Sequence, residues 1–258
     1  MDGVEDLFVN IKNNIKSDWL TLYKSTLVRW SFMIFLLIDS YILSLSSNLI
    51  YSEASMGYYT SQLLITLSQF NVFFIIIIGA LLGSCDYDWD TFSIRLINTN
   101  RVQLCISRII SLLSVVIAMI FINVIMGLFF DNLSNTIEIF SVRLLLKYLG
   151  VLLIVFFWGI FSLTLSFVTK SFTISSTFVI GYIFMESFMA RFLPESILKV
   201  LPVWNQKSFL KHFFDKNEGA VTIIQQQFGN YTTSLLLIMC YLLLLIFVYV
   251  IGCKRMEY

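Results

Sequence analysis

The sequence predicts an all-α, polytopic membrane fold. Six transmembrane helices are expected, with an N-terminal amphipathic interfacial helix and a short re-entrant helical hairpin before the last span. Two observations carry this. First, charge is almost absent from six stretches, about 27–50, 61–84, 104–130, 142–168, 173–192 and 233–252. Each can cross a hydrocarbon core of about 30 Å at about 1.5 Å per helical residue. Second, charged residues make up 13% of the chain and hydrophobic ones 58%, where soluble domains carry roughly 25% charged residues. The spans consume most of the 258 residues, so a single domain over 1–258 is expected, with no room for a nucleotide-binding or catalytic module.

Taken in order, residues 1–26 place Val4, Phe8, Ile11, Ile15, Trp19 and Leu22 at spacings of three and four, with Asp, Asn and Lys opposite. This period predicts an elbow helix on the inner membrane surface, with Trp19 and Tyr23 near its end. The segment lacks the layout of a secretory signal, so the first span is expected to remain as an anchor. That span carries Asp39 near its middle. A charge at mid-bilayer costs about 2.5–3.5 kcal/mol, so Asp39 should be neutral or face polar groups such as Asn71 and Gln69 of span two or Asn123 of span three.

The inner loop at 85–103 is the densest polar segment on its side, running Cys85-Asp86-Tyr87-Asp88-Trp89-Asp90-Thr91-Phe92 to Arg95-Leu96-Ile97 and Asn100-Arg101. Acids at its start suit a helix dipole, and Trp89, Phe92 and Leu96 share a face. A helix this short needs a packing partner. Asp86, Asp88 and Asp90 match the first three ligand positions of a calcium loop, but Thr91 stands where that loop needs Gly and Ile97 where it needs Glu. No metal site is therefore assigned.

Spans three, four and five follow, and Glu186 lies two-thirds of the way along the fifth. Arg143, Lys147 and Arg191 are its candidate partners. Asp39, Asn71, Asn123 and Glu186 form the predicted set of intramembrane polar residues, lining a translocation path or holding helices together by hydrogen bonds. Between spans five and six, residues 193–232 hold both prolines, Pro194 and Pro202, among apolar groups. The segment is too apolar for a free loop and too broken for a span, which predicts short helices dipping back into the outer leaflet.

Positive charge sorts by side. With the N-terminus inside, the inner segments hold Lys12, Lys16, Lys24, Arg29, Arg95, Arg101, Arg108, Lys170, Lys254 and Arg255, the short outer loops only Arg143 and Lys147, and the long outer segment between spans five and six a further five, Arg191, Lys199, Lys207, Lys211 and Lys216, which weaken the contrast. This bias puts both termini in the cytoplasm. Cys85, Cys105 and Cys253 then face a reducing compartment and Cys240 lies within span six, so no disulfide is expected. The lone His212 has no nearby partner, and neither a Gly-x-Ser-x-Gly nor a His-Glu-x-x-His motif occurs. A membrane enzyme is thus disfavoured, and no catalytic residue is assigned. A channel or scaffold is not excluded by these patterns.

The order of parts, an amphipathic inner helix, six spans, a polar helical loop after span two and a broken apolar hairpin before span six, resembles the membrane subunit of a type-2 ATP-binding-cassette (ABC) exporter. The stretch from Gly83-Ser84-Cys85-Asp86 through Asp90-Thr91 to Arg95-Leu96-Ile97, Asn100-Arg101 and Arg108 is similar to that family's coupling segment, with Asp for the usual Glu and Asp-Thr for Gly-Thr. The resemblance implies that residues 86–101 dock on an ATPase subunit, through Trp89, Phe92 and Leu96 for apolar contact and Asp86, Asp88, Arg95 and Arg101 for polar contact. The chain has no phosphate-binding loop, so ATP and Mg would be held by the separate ATPase, with no cofactor on this chain. A second permease half, identical or related, is implied, and no nucleic acid. Residue usage suits an AT-rich bacterium and hence its cytoplasmic membrane. The small permeases of this kind suggest a hydrophobic or amphipathic cargo, with peptide export or immunity to an antimicrobial peptide ahead of drug or lipid export.

Overall fold

The computed structural model describes residues 2–49, 58–88, 100–133, 142–214 and 231–255, all helices and short turns without a strand among them. The helices are α1 (Asp2–Lys24), α2 (Thr26–Leu49), α3 (Tyr58–Gln69), α4 (Val72–Asp88), α5 (Arg101–Leu133), α6 (Val142–Thr169), α7 (Phe172–Met189), α8 (Glu195–Leu198), α9 (Pro202–Phe214) and α10 (Tyr231–Arg255). Five of them, α2, α5, α6, α7 and α10, are long and apolar enough to cross a membrane. The pair α3 and α4 passes the same test together but bends by 45° between them. The stretch expected as span two is thus two helices that meet at a bend.

The break contains neither Pro nor Gly, the usual causes of a sharp kink. Its cause is local hydrogen bonding. The Thr66 carbonyl accepts from both Phe70 N (2.8 Å) and Asn71 N (3.1 Å), which shifts the ladder from the α toward the π register. The hydroxyls of Thr66 and Ser68 also bond back to the carbonyls of Gln62 (2.9 Å) and Ile65 (2.8 Å), a competition that bends helices.

The centre of the bundle is α6, with 72% of its apolar stretch buried against 33% or less for the other four straight helices. Small residues let α4 lie directly on it. Gly79 and Gly83 form a Gly-x-x-x-Gly face. A Cβ on Gly79 would strike the backbone carbonyl of Gly159, and one on Gly83 the hydroxyl of Ser166. Such close approach is how helices associate where lipid removes the hydrophobic drive. Ser162 then reaches across to donate to the Ile76 carbonyl at 2.7 Å. The outward faces are apolar, as on α2, where Trp30, Leu37 and Tyr41 are exposed at helical spacing. In a soluble chain such a stripe would be a liability; here it suits lipid.

Helix α1 lies against α5 by a face that overlaps the predicted apolar stripe and adds polar residues to it. Among its described side chains Asn14, Asp18 and Leu22 are buried, four apart, Ile11 and Ile15 are half-buried, and Trp19, Leu20 and Tyr23 are exposed. The fully buried Asp18 accepts from Ser111 Oγ (3.1 Å), and Trp19 Nε1 donates to Ser114 Oγ (3.1 Å). Polar pairing with α5 thus joins hydrophobic periodicity in setting the inward face.

The structure departs from one expectation. Cys105 and Cys253 are joined as a disulfide, with Cα atoms 6.8 Å apart. The antiparallel course of α5 and α10 brings together residues separated by 148 positions, a pairing that spacing along the chain cannot reveal. One turn further in, the charge of Arg108 acts on the buried Tyr249 hydroxyl across the same seam. The start of α5 and the end of α10 thus share one end of the bundle.

Candidate functional site

Two of the predicted polar residues meet at the α3–α4 break. On one side stands Asp39 of α2, fully buried. Its Oδ1 accepts from Asn71 Nδ2 at 2.8 Å, which joins two of the predicted residues. Asp39 Oδ2 and Asn71 Oδ1 are both buried and accept no hydrogen bond among the described residues. Gln69, the other candidate partner, is exposed. Asn123 is buried but donates to the Met119 carbonyl of its own helix at 3.1 Å, so it is not brought into this group.

The other side of the break is held from α9. Gln206 Nε2 donates to the Ser68 carbonyl at 2.7 Å, and its Oε1 accepts from Trp158 Nε1 at 2.7 Å. Carbonyls in the last turn of a helix have no partner along their own ladder, and Gln206 supplies one for α3 while securing Trp158, the single tryptophan of α6. All three groups are buried. The break is thus braced from two directions, by Asp39 through Asn71 and by Gln206 through Ser68.

Glu186 finds a partner of a different kind from those expected. Its Oε1 accepts from the backbone N–H of Trp204 at 2.8 Å, in the first turn of α9, where N–H groups are free and the helix dipole favours a negative charge. Lys207, one turn on, lies close enough for its charge to act on Glu186. Lys147 instead donates to Ser61 Oγ (3.2 Å), Arg191 is exposed, and the side chain of Arg143 lies outside the described set. Pro202 starts α9 at a position where its missing N–H is no loss. Together these pin a segment whose Val203, Trp204, Asn205, Gln206, Phe209 and Leu210 are all buried. Phe209 closes the contact by lying where any side chain on Gly150 would stand.

Asp131 repeats this device and was not singled out in the sequence. At the end of α5, fully buried, it accepts from Tyr59 N (3.1 Å), Thr60 N (3.3 Å) and Thr60 Oγ1 (2.5 Å) at the start of α3. Two carboxylates carried on spans therefore cap the N-termini of two other helices. Gln206, Trp158 and Ser68 were also missed, and only the rarity of Gln and Trp in Phe-rich surroundings could have flagged the first two.

The predicted docking residues are mostly beyond reach. Trp89, Phe92, Arg95 and Leu96 lie outside the described residues, as do the side chains of Asp86 and Asp88 in the last turn of α4; Arg101 begins α5. The second half of the 193–232 segment, from 215 to 230, is likewise outside them. Among the described residues no group of three or more His, Cys, Asp or Glu could hold a metal ion. What the site offers chemically is a set of buried hydrogen bonds around a bend, suited to fixing or shifting one helix against its neighbours. Compared with known proteins, the sequence matches no family model and no curated protein.

Proposed function

We propose that the chain is the membrane-spanning permease subunit of an ABC exporter, crossing the bacterial cytoplasmic membrane six times with both termini inside. The observation that carries this reading is the layout. Five straight candidate spans and one bent pair follow a helix that packs on α5 at one end of the bundle, and α8 and α9 are tucked back into it before α10. A separate ATPase subunit would dock on residues 86–101, and a second permease half would complete the path. In this reading α1 is the interfacial elbow and 193–232 the re-entrant segment. The bent α3–α4 unit, which leads directly into the docking loop, carries the motion produced by ATP binding. Asp39 and Asn71 brace its pivot. The cargo is hydrophobic or amphipathic, an antimicrobial or toxin peptide in the first instance, since the described walls are aromatic and poor in charge.

The test begins with the gene neighbourhood, where an adjacent reading frame with a Walker A motif is expected, and continues with co-expression of that ATPase and reconstitution of the pair. ATP hydrolysis should require both chains and respond to an added amphipathic peptide. A Trp89→Ala/Phe92→Ala variant that inserts normally should lose the ATPase on co-purification. Undiminished co-purification would remove 86–101 from that role, and ATPase activity indifferent to this chain would remove the reading as a whole.

A further inference from the structure

We infer that the elbow between α1 and α2 is a binding site for an anionic glycerophospholipid, with one acyl chain in a preformed cavity and the phosphate on Arg29 and Lys24. The inference rests on membrane residence alone and not on the proposed exporter function. Where α1 turns into α2, a cavity of about 370 Å³ opens between these helices, α4 and α5. Phe32, Phe74, Val115 and Met119 form part of its wall, and no polar atom faces into it. Its size is near the lower end of small-ligand pockets, roughly 300–1,000 Å³, and its apolar wall offers water no hydrogen-bonding partner. A hydrocarbon chain matches such a space, and a folded or polar ligand does not.

The mouth supplies the second half of the recognition. Trp19 and Tyr23, also lining the cavity, are 41% and 76% exposed, and amphipathic rings of this kind sit at headgroup level. Arg29 lines the cavity and is exposed, and its guanidinium Nη2 makes only long contacts, to Thr26 Oγ1 at 3.3 Å and the Lys24 carbonyl at 3.5 Å. Neither Arg29 nor the exposed Lys24 has an acidic partner among the described residues. Two exposed cations with no acidic partner among the described residues, beside an apolar cavity, match an anion with a hydrocarbon tail attached. Basic pockets between membrane helices select lipid headgroups in this way, and Arg adds a planar fork that fits phosphate oxygens.

The experiment uses the full chain reconstituted in vesicles of equal phosphatidylglycerol and phosphatidylcholine, extracted in mild detergent and weighed intact by native mass spectrometry. One retained phosphatidylglycerol per chain is expected, in preference to phosphatidylcholine. Lys24→Gln/Arg29→Gln should lower that preference roughly thirtyfold, while Ala118→Phe, which fills the cavity, should remove both lipids. Millimolar inorganic phosphate should leave the retained lipid in place, since the chain and the headgroup bind together. Equal retention of the two lipids overturns the proposal, as does a Lys24→Gln/Arg29→Gln protein that keeps its preference. Displacement by inorganic phosphate alone would reduce the site to an anion contact and overturn it too. If Ala118→Phe fails to insert, the charge variant, altered only at exposed residues, still decides.

Discussion

Asn71 donates its side-chain amide to the buried carboxyl of Asp39 at 2.8 Å, and this single bond joins α2 to the point where α3 and α4 meet at a bend. Because Asn71 is itself one of the residues of the break, the bond fixes the position of the bend and not merely the distance between two helices. Any rotation of α4 against α3 must move Asn71, and so must stretch or exchange its contact with α2.

Removing one member of this pair should cost more than removing both. Asn71→Leu leaves the Asp39 carboxyl buried without its donor, whereas Asp39→Leu/Asn71→Leu replaces the pair by apolar groups, a change that can be nearly neutral. Interhelical hydrogen bonds in membranes average about 0.6 kcal/mol and reach about 1.7 kcal/mol. A double-mutant cycle on unfolding in mixed micelles should give a coupling energy within that range. A coupling indistinguishable from zero would mean that the bond does not hold the bend.

Gln206 serves two partners, so its loss should be felt at two places. In Gln206→Leu, both the Trp158 indole N–H and the Ser68 carbonyl are left buried and unpaired, at about 1–3 kcal/mol for each orphaned group. Trp158→Phe removes one donor and leaves the bond from Gln206 to Ser68, so it should lower the melting temperature less. Reversal of this order would place the stabilising weight on the tryptophan ring instead of on the bridge.

Much of this architecture was legible because membrane spans announce themselves by the absence of charge. The predicted boundaries of span one, 27–50, differ from those of α2 by a residue at each end. The pairing of Asp39 with Asn71 was among those anticipated, since a buried acid must find a polar neighbour and few stood at its depth. The bend was not legible. It depends on how Thr66, Ser68 and Asn71 divide a few hydrogen bonds, and no proline or glycine marks it. The partner of Glu186 was missed for a related reason. Charges were matched with charges, yet the group that meets Glu186 is the backbone N–H of Trp204, which has no signature in the side-chain alphabet. Asp18 shows the same limit, as hydrophobic spacing gives no sign that a fully buried acid bonded to Ser111 sits within the inward face of α1.

Glycine substitutions should separate close packing from helix propensity. Gly79→Ala puts a methyl against the backbone carbonyl of Gly159, which cannot swing aside, whereas a Cβ on Gly181 meets nothing within 4 Å. Gly181→Ala should therefore be neutral or slightly stabilising, by up to about 1 kcal/mol from propensity. Gly79→Ala should separate α4 from α6 and cost about 1–3 kcal/mol, as overpacking does. The yield of monodisperse protein in detergent and its melting temperature measure both. Equal behaviour of the two variants would show that α4 and α6 are not in contact through Gly79.

The bond between Cys105 and Cys253 has a direct chemical readout. It links α5 to α10, so a protease site introduced in the 134–141 segment divides the chain between the two cysteines. After cleavage and denaturation with free thiols blocked, the fragments should migrate together without reductant and apart with it. In Cys105→Ser they should separate under both conditions, while Cys85→Ser and Cys240→Ser should leave the link intact, because neither cysteine takes part in it. Blocking thiols in living cells before lysis extends the same measurement to the compartment. A cytoplasmic position for this end of the bundle favours the reduced pair there, so the fragments should separate when trapped in cells and stay joined when the protein is purified in air. A link already complete in cells would place the shared end of α5 and α10 on the oxidising side and reverse the orientation assigned from the lysines and arginines.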